Sequence, residues 1–210
     1  MIKIVIADDH AIVREGLKQI LSDVPDMEIF GEASSGDEVL KFIRDEGWNI
    51  MLLDIAMPGK NVLELIKLAK HQSPQLPILI LSMYPEDQYA IRMLRAGADG
   101  YLTKESAPEQ LVSVIRKVAK GGKYISPTMT EKLIAELNPN QEKLLHTTLT
   151  DREFQVFRGI CEGISITDLA RHMALSVKTI STYRSRLMTK MNMSNNAEII
   201  HYAIKNNLLN

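Results

Sequence analysis

Five short apolar or β-branched runs punctuate the first half of the chain, and their spacing leaves few folds open. Ile2–Ala7, Glu28–Ala33, Ile50–Leu53, Ile78–Leu81 and Gly100–Thr103 have the length and composition of strands buried on both faces. Between them lie stretches at helical spacing: Val13, Leu17, Ile20 and Leu21, then Val39, Leu40 and Ile43, and later Leu111, Val112, Ile115, Val118 and Ala119. Ser35 with Glu38 has the pattern of a capping box, Pro108 suits a first helical turn, and Gly121-Gly122 can close a helix. Alternating strands and helices predict an α/β doubly wound five-stranded parallel sheet with right-handed crossovers.

In such sheets the ligand site forms at the carboxyl ends of the strands, where strand order reverses. The strand ends here are Asp8-Asp9, Asp54, Ser82 and Lys104, so three carboxylates, a hydroxyl and an ammonium converge on one rim. Crowded carboxylates repel unless a hard cation sits among them, and oxygen ligands on an open site suit Mg2+. With Mg2+ and Lys104 neutralising charge, a carboxylate can act as nucleophile on a phosphoryl group. Asp54 is the candidate, at the tip of Met51-Leu52-Leu53 with the loop Ile55-Ala56-Met57-Pro58-Gly59 behind it. Ser82 and Lys104 are placed to meet phosphoryl oxygens. His10, beside the acids, reads as a polar surface or helix-start residue.

Ala7-Asp8-Asp9-His10, Asp54 with Met57-Pro58-Gly59, Ser82, and Tyr101 three before Lys104 together resemble the receiver domain of bacterial two-component response regulators. The resemblance covers roughly residues 1–122 and implies a flavodoxin-like receiver. It implies that Asp54 takes a phosphoryl group from a sensor histidine kinase, and that Asp8, Asp9 and Asp54 hold Mg2+ with the Ala56 carbonyl. Ser82 and Lys104 would contact the phosphoryl group, with Ser82 and Tyr101 as switch residues: Ser82 moves and the Tyr101 ring swings into the vacated space. The chain departs from the family pattern at Asn61-Val62, after the Met-Pro-Gly turn, and at Ala56, which has no polar side chain.

Beyond Gly122 the strand pattern stops. A helical stretch from Thr128 to Leu137 leads into the polar segment Asn138-Pro139-Asn140-Gln141-Glu142-Lys143, so residues 123–148 read as a linker with a short helix. From residue 149 every segment is helical, with Thr150, Ser165, Ser176 and Ser194 as expected N-caps. The net charge of −1 hides an imbalance: residues 149–210 carry 8 Lys+Arg against 5 Asp+Glu. Between Ser176 and Met191 stand Lys178, Arg184, Arg186 and Lys190 with no acid.

Ser165–Met173 and Val177–Met191, three residues apart, have the tightness of a helix-turn-helix. At 100° per residue, Ile180, Leu187 and Met191 share one face of the second helix, and Lys178, Thr182, Ser185 and Thr189 the opposite one. Small hydroxyls let a helix sit deep in a major groove, with Lys178 and Thr182 at base edges and Arg184, Arg186 and Lys190 at phosphates. Leu149-Thr150-Asp151-Arg152-Glu153, Ile166-Thr167-Asp168-Leu169-Ala170, Leu175-Ser176-Val177-Lys178-Thr179-Ile180 and Met188-Thr189-Lys190-Met191 resemble the LuxR-type helix-turn-helix. A receiver followed by this small all-α module resembles the NarL/FixJ family. That likeness implies groove contacts by Lys178, Thr179, Ser181, Thr182 and Ser185, double-stranded promoter DNA as partner, and pairing of two copies into a dimer through a last helix, Asn195–Asn206.

One cysteine, Cys161, leaves no internal disulfide, and no apolar run approaches the ~20 residues that cross a bilayer. The expectation is a cytoplasmic protein with no membrane partner and no turnover of its own. Two rival readings remain: a receiver that docks partners without being phosphorylated, and an aspartate-nucleophile phosphatase, against which Ala56 stands where a second acid would be needed.

Overall fold

Strand alternation is visible directly in what each strand buries. The computed structural model describes residues 1–208 apart from 46, 107, 137–143 and 207. The strands are β1 (Ile2–Ala7), β2 (Met27–Ala33), β3 (Ile50–Leu53), β4 (Ile78–Ser82) and β5 (Gly100–Thr103). They form one parallel sheet in the order β2-β1-β3-β4-β5. Val5, Met51, Leu53, Ile78, Ile80 and Tyr101 point to one face, while Ile4, Ile6, Ile50, Leu52, Leu79 and Leu102 point to the other.

Each face is covered by amphipathic helices. α1 (Ala11–Ser22) and α5 (Pro108–Ala119) bury Leu17, Leu21, Leu111, Val114, Ile115 and Val118 on the second face. α2 (Gly36–Arg44), α3 (Val62–Gln72) and α4 (Glu86–Ala96) cover the first. The Ser35 hydroxyl caps α2 by accepting from the Glu38 amide at 3.3 Å. Asn61, the departure after the Met-Pro-Gly turn, caps α3 by accepting from the Leu63 amide at 2.9 Å. The asparagine thus supplies the helix start there.

The described residues divide into two compact units, 1–134 and 135–210. Of the segment expected as a linker, Tyr124 bridges to Gly100 at the edge of the sheet, and Met129 in α6 (Pro127–Glu136) is buried in the core of the first unit. Residues 138–143 of that segment lie outside the described residues. No described helix is long and apolar enough to cross a membrane.

The second unit holds a 3-10 turn over Leu145–Thr148, then α7 (Asp151–Cys161), α8 (Ile166–His172), α9 (Val177–Met191) and α10 (Asn196–Lys205). Its core gathers Phe154, Phe157, Ile160, Leu169, Ile180, Leu187, Met191 and Ile199, all buried. Thr150, Ser165 and Ser176 cap as expected; the fourth cap is Asn195 rather than Ser194, whose amide instead donates to Glu198 at 2.7 Å.

The turn between α8 and α9 passes through Ala174 at φ 51°, the left-handed region. The Leu175 amide reaches back to the Ala170 carbonyl at 2.9 Å, so the backbone closes α8 as a glycine C-cap would, but with a Cβ in place. That conformation costs an L-residue about 1–2 kcal/mol, and glycine loosens the unfolded chain by about 0.4–1 kcal/mol. Ala174→Gly is therefore expected to stabilise the second unit by about 0.5–1 kcal/mol, read as a raised urea midpoint; a lowered midpoint would refute the strain.

Candidate functional site

Strand order reverses between β1 and β3, and the backbone delivers acids to that point. The Asp8 amide extends the ladder to the Ala33 carbonyl at 3.0 Å, and the Asp54 amide to the Ala7 carbonyl at 2.8 Å. Both carboxylates are almost fully buried, Asp8 at 1% and Asp54 at 3% exposure. The Lys104 amide donates to the Ser82 carbonyl at 2.8 Å, which fixes the start of its side chain on the same rim. Its Nζ lies 2.6 Å from Asp8 Oδ2 and 3.1 Å from Asp54 Oδ2.

One ammonium facing two buried carboxylates leaves an excess negative charge. Burial pushes the Asp54 carboxyl above its ordinary value, and the Asp8 charge adds to this while Lys104 opposes it. Asp54 Oδ1 accepts from the Ile55 amide at 2.8 Å. By contrast, Asp8 Oδ2 and Asp54 Oδ2 are buried and share the one Lys104 ammonium as their ion-pair partner. Carboxylate oxygens in this state fit a hard divalent cation. Ligand atoms of Asp8, Asp9, His10 and Asp54 all lie within 4.8 Å of one another. Ala56 is exposed two residues beyond Asp54.

Ser82, fully buried at the end of β4, accepts from the Tyr84 amide at 3.1 Å. Tyr101 is 2% exposed and its hydroxyl donates to the Tyr84 carbonyl at 2.8 Å. Burial raises the phenol well above its ordinary value, so it stays a neutral donor. In this structure the ring stands inside the core.

Several participants are not evident from the sequence. The Arg14 guanidinium donates to the Asp8 carbonyl at 2.7 Å from the first turns of α1. The Ser126 hydroxyl donates to the Glu86 carboxylate, tying the start of α6 to the start of α4. His10 does not cap α1 with its side chain; its Nδ1 stands 2.8 Å from Asp9 Oδ1. Spacing along the chain carries no signal for these pairs except His10, whose adjacency to Asp8-Asp9 was visible.

In the second unit, α9 buries Ile180, Leu187 and Met191 at 1% exposure or less and turns Lys178, Ser181, Thr182, Ser185, Arg186 and Thr189 outward. Thr182 and Thr189 donate back to the Lys178 and Ser185 carbonyls at 3.0 Å each, which folds the hydroxyls close to the helix. Thr179 is half-buried with its hydroxyl 2.8 Å from that of Ser176. Arg184 Nε donates to Asn196 at 2.9 Å. Lys190 Nζ lies 2.6 Å from Glu153, a carboxylate at 2% exposure. Burial would raise the Glu153 carboxyl, but Lys190 and the Thr150 amide prevail and hold it below its usual value. Lys190, though exposed, thus anchors α9 to α7. Cys161 is half-buried, its thiol pushed up to about 12 by burial, which leaves it unreactive.

Comparison with known proteins agrees with both halves. Residues 4–116 match the response regulator receiver domain, and residues 147–203 the family of bacterial regulatory proteins of the luxR type. The chain is 32% identical over 211 residues to the response regulator UvrY of Escherichia coli K12, covering 100% of this chain and 97% of UvrY. It is 35% identical over 214 residues to the oxygen regulatory protein NreC of Staphylococcus carnosus, covering 99% of each. Among solved structures, RcsB from Salmonella enterica serovar Typhimurium, bound to promoter P1flhDC in the presence of the phosphomimetic BeF3-, superposes with a TM-score of 0.71 at 25% identity over 96% of this chain and 97% of that one. With an acid pocket at the sheet's switch point, an outward polar helix in a second helical unit, and relatives alike along their full length, the chain belongs to the NarL/FixJ response regulators, a receiver domain followed by a LuxR-type helix-turn-helix DNA-binding domain.

Proposed function

We propose that this chain is a phosphorylation-controlled transcriptional regulator of the cytoplasm, in which residues 1–122 receive a phosphoryl group and residues 149–210 bind promoter DNA, with 123–148 connecting them. The observation that carries this reading is the single Lys104 ammonium between the buried carboxylates of Asp8 and Asp54. A pocket with that residual negative charge is arranged to gain a dication and an electrophilic phosphorus. Asp8, Asp9, Asp54 and the Ala56 carbonyl would hold Mg2+, which when bound supplies charge neutralisation for the entering phosphoryl oxygens.

Asp54 is the nucleophile: a carboxylate oxygen attacks the phosphorus of a phosphohistidine on a sensor kinase, the P–N bond breaks, and the histidine leaves. Ser82 and Lys104 then bind phosphoryl oxygens. The product carries roughly −1.5 to −2 charges on the phosphoryl group, by analogy with other phosphorylated residues, in place of the single charge of the carboxylate. Pulling Ser82 toward that charge releases the Tyr84 amide it now holds, and Tyr101 follows because its hydroxyl bonds the Tyr84 carbonyl. Tyr101 thus reports the state of Ser82 through Tyr84 from inside the core, rather than by entering an empty space.

From Tyr84 the change reaches α4, where Glu86 is tied to Ser126 at the start of α6. Ser126→Ala is expected to leave DNA binding by the unphosphorylated chain unchanged and to remove a factor of about 5 or more from the gain on phosphorylation, within the usual range of coupling energies. An unchanged gain in a gel-shift titration would remove this route.

On the DNA side, Lys178, Thr182 and Ser185 form the outward polar face of α9, with Thr179 and Ser181 beside it and Arg184, Arg186 and Lys190 toward the flanks. Arg186 is the flank cation placed for phosphates; the bonds of Arg184 to Asn196 and of Lys190 to Glu153 make these two supports of the helix. The RcsB neighbours bound to promoter DNA and as dimers support DNA as the partner and two copies as the active form. Regulation rather than turnover is the activity. Mapping bound DNA across the genome for wild type and Asp54→Ala tests the reading: the wild type should occupy discrete promoters that the variant loses. Identical occupancy would leave the receiver as a docking module.

A further inference from the structure

Resting on the phosphoacceptor reading above, we propose that His10 is a ligand of the pocket's metal ion and gives this receiver a selective affinity for Zn2+ over what its carboxylates alone provide. Ligands bind Zn2+ at about 2.0–2.2 Å, so neighbouring ligand atoms in tetrahedral or octahedral arrangements lie about 3.0–3.5 Å apart. His10 Nδ1 stands 3.3 Å from Asp8 Oδ1 and 2.8 Å from Asp9 Oδ1, close to that spacing on both sides. The ring is already where a ligand would be, and the His10 amide, donating to Asp8 Oδ1 at 2.9 Å, fixes the backbone behind it.

Two further observations point into the same space. Asp8 Oδ2 and Asp54 Oδ2 are buried and share the single Lys104 ammonium at 2.6 and 3.1 Å, so the pocket beside the imidazole keeps negative charge that a cation would offset. The ligand atoms of all four side chains fall within 4.8 Å, which a small inward adjustment turns into one coordination sphere. The imidazole has no capping duty on α1 to hold it elsewhere, and its side chain is 62% exposed, so an ion can reach it from solvent.

Chemistry then separates the ions. Mg2+ prefers oxygen ligands and keeps its waters, so an imidazole adds little to its binding. Zn2+ accepts imidazole nitrogen readily and exceeds Mg2+ for any site of mixed N and O ligands. A receiver carrying this histidine would register zinc as a competitor for its Mg2+ site, linking metal status to phosphoryl chemistry.

The test is calorimetric titration of the full chain with ZnCl2 and, separately, MgCl2, for wild type, His10→Asn and Asp54→Asn, with anomalous scattering at the zinc edge from soaked crystals to locate the ion. The expected result is a zinc peak bonded to His10 Nδ1, a loss of at least about tenfold in Zn2+ affinity in His10→Asn, and Mg2+ affinity within about twofold of wild type. Unchanged Zn2+ affinity, an equal fall for both ions, or a zinc peak away from His10 would overturn the inference; an equal fall would mean that His10 only orients Asp9. The underlying reading fails differently, through Mg2+ binding that is absent in wild type or indifferent to Asp54→Asn. Because His10 is exposed, its variant is expected to melt with the wild type, which a thermal scan verifies.

Discussion

Asp54→Asn is expected to reduce phosphoryl incorporation from a small acyl phosphate in the presence of Mg2+ to background, while wild type takes up one group per chain. The amide keeps the shape of the side chain and its acceptor for the Ile55 amide but has no nucleophilic carboxylate. The fold is expected to survive, because the substitution removes one of two buried like charges and leaves Lys104 paired with Asp8 at 2.6 Å. The variant should therefore melt no lower than wild type. Its second consequence is larger: if phosphorylation brings two DNA-binding units onto paired half-sites, avidity contributes a factor of about 10² or more in promoter affinity, all of which the variant forgoes. Intact-mass measurement and gel-shift titration on the same samples read both effects. Incorporation in Asp54→Asn at the wild-type level would place the nucleophile elsewhere.

Lys178→Ala and Arg186→Ala are expected to weaken DNA binding in distinguishable ways. Lys178 sits on the outward face of α9, opposite the buried Ile180, Leu187 and Met191, in the first turn of the helix proposed to enter a groove. Its loss should cost about 1–3 kcal/mol per half-site and relax base preference at one position of each. Arg186, placed for phosphates, should weaken all sequences alike and reduce the salt slope by about 1 per helix. Binding by a randomised DNA pool, repeated at several salt concentrations, separates the two. Lys190→Ala is the informative contrast, because it removes the partner of a buried carboxylate: the effect should fall on the melting temperature of the second unit rather than on sequence preference. Loss of base preference in Arg186→Ala with Lys178→Ala unaffected would invert the orientation proposed for the helix.

The strands and the pocket were legible for the same reason. A strand buried on both faces, as β3 and β4 are, must be a continuous apolar run, and the first polar residue after it must stand at the rim, so Asp8, Asp54 and Lys104 could be placed together from their positions alone; β2 departs from that expectation, because at the sheet's edge it leaves Glu28, Phe30 and Glu32 exposed. Small boundary differences, such as Met27 and Ser82 joining β2 and β4, cost nothing because the register of the sheet did not change. His10 is the exposed helix-start residue that its place in the sequence suggests, but only the folded turn brings its Nδ1 against Asp9. The pairing of Lys190 with Glu153 is not visible in the sequence, because composition counts charges without their partners and Glu153 lies 37 residues away. The position of the Tyr101 ring depended on Tyr84 offering a carbonyl, which no spacing announces.

Hydrophobic periodicity, turn residues and the identity of strand-end side chains are local properties, and from them the chain by itself determined a five-stranded receiver with an acidic pocket and a helix-turn-helix with a small polar face. Which charges are available for chemistry or for DNA was decided only by tertiary structure. A charged group's role depends on what the fold brings within about 3 Å of it and how much water it removes, and both are set by segments distant in sequence.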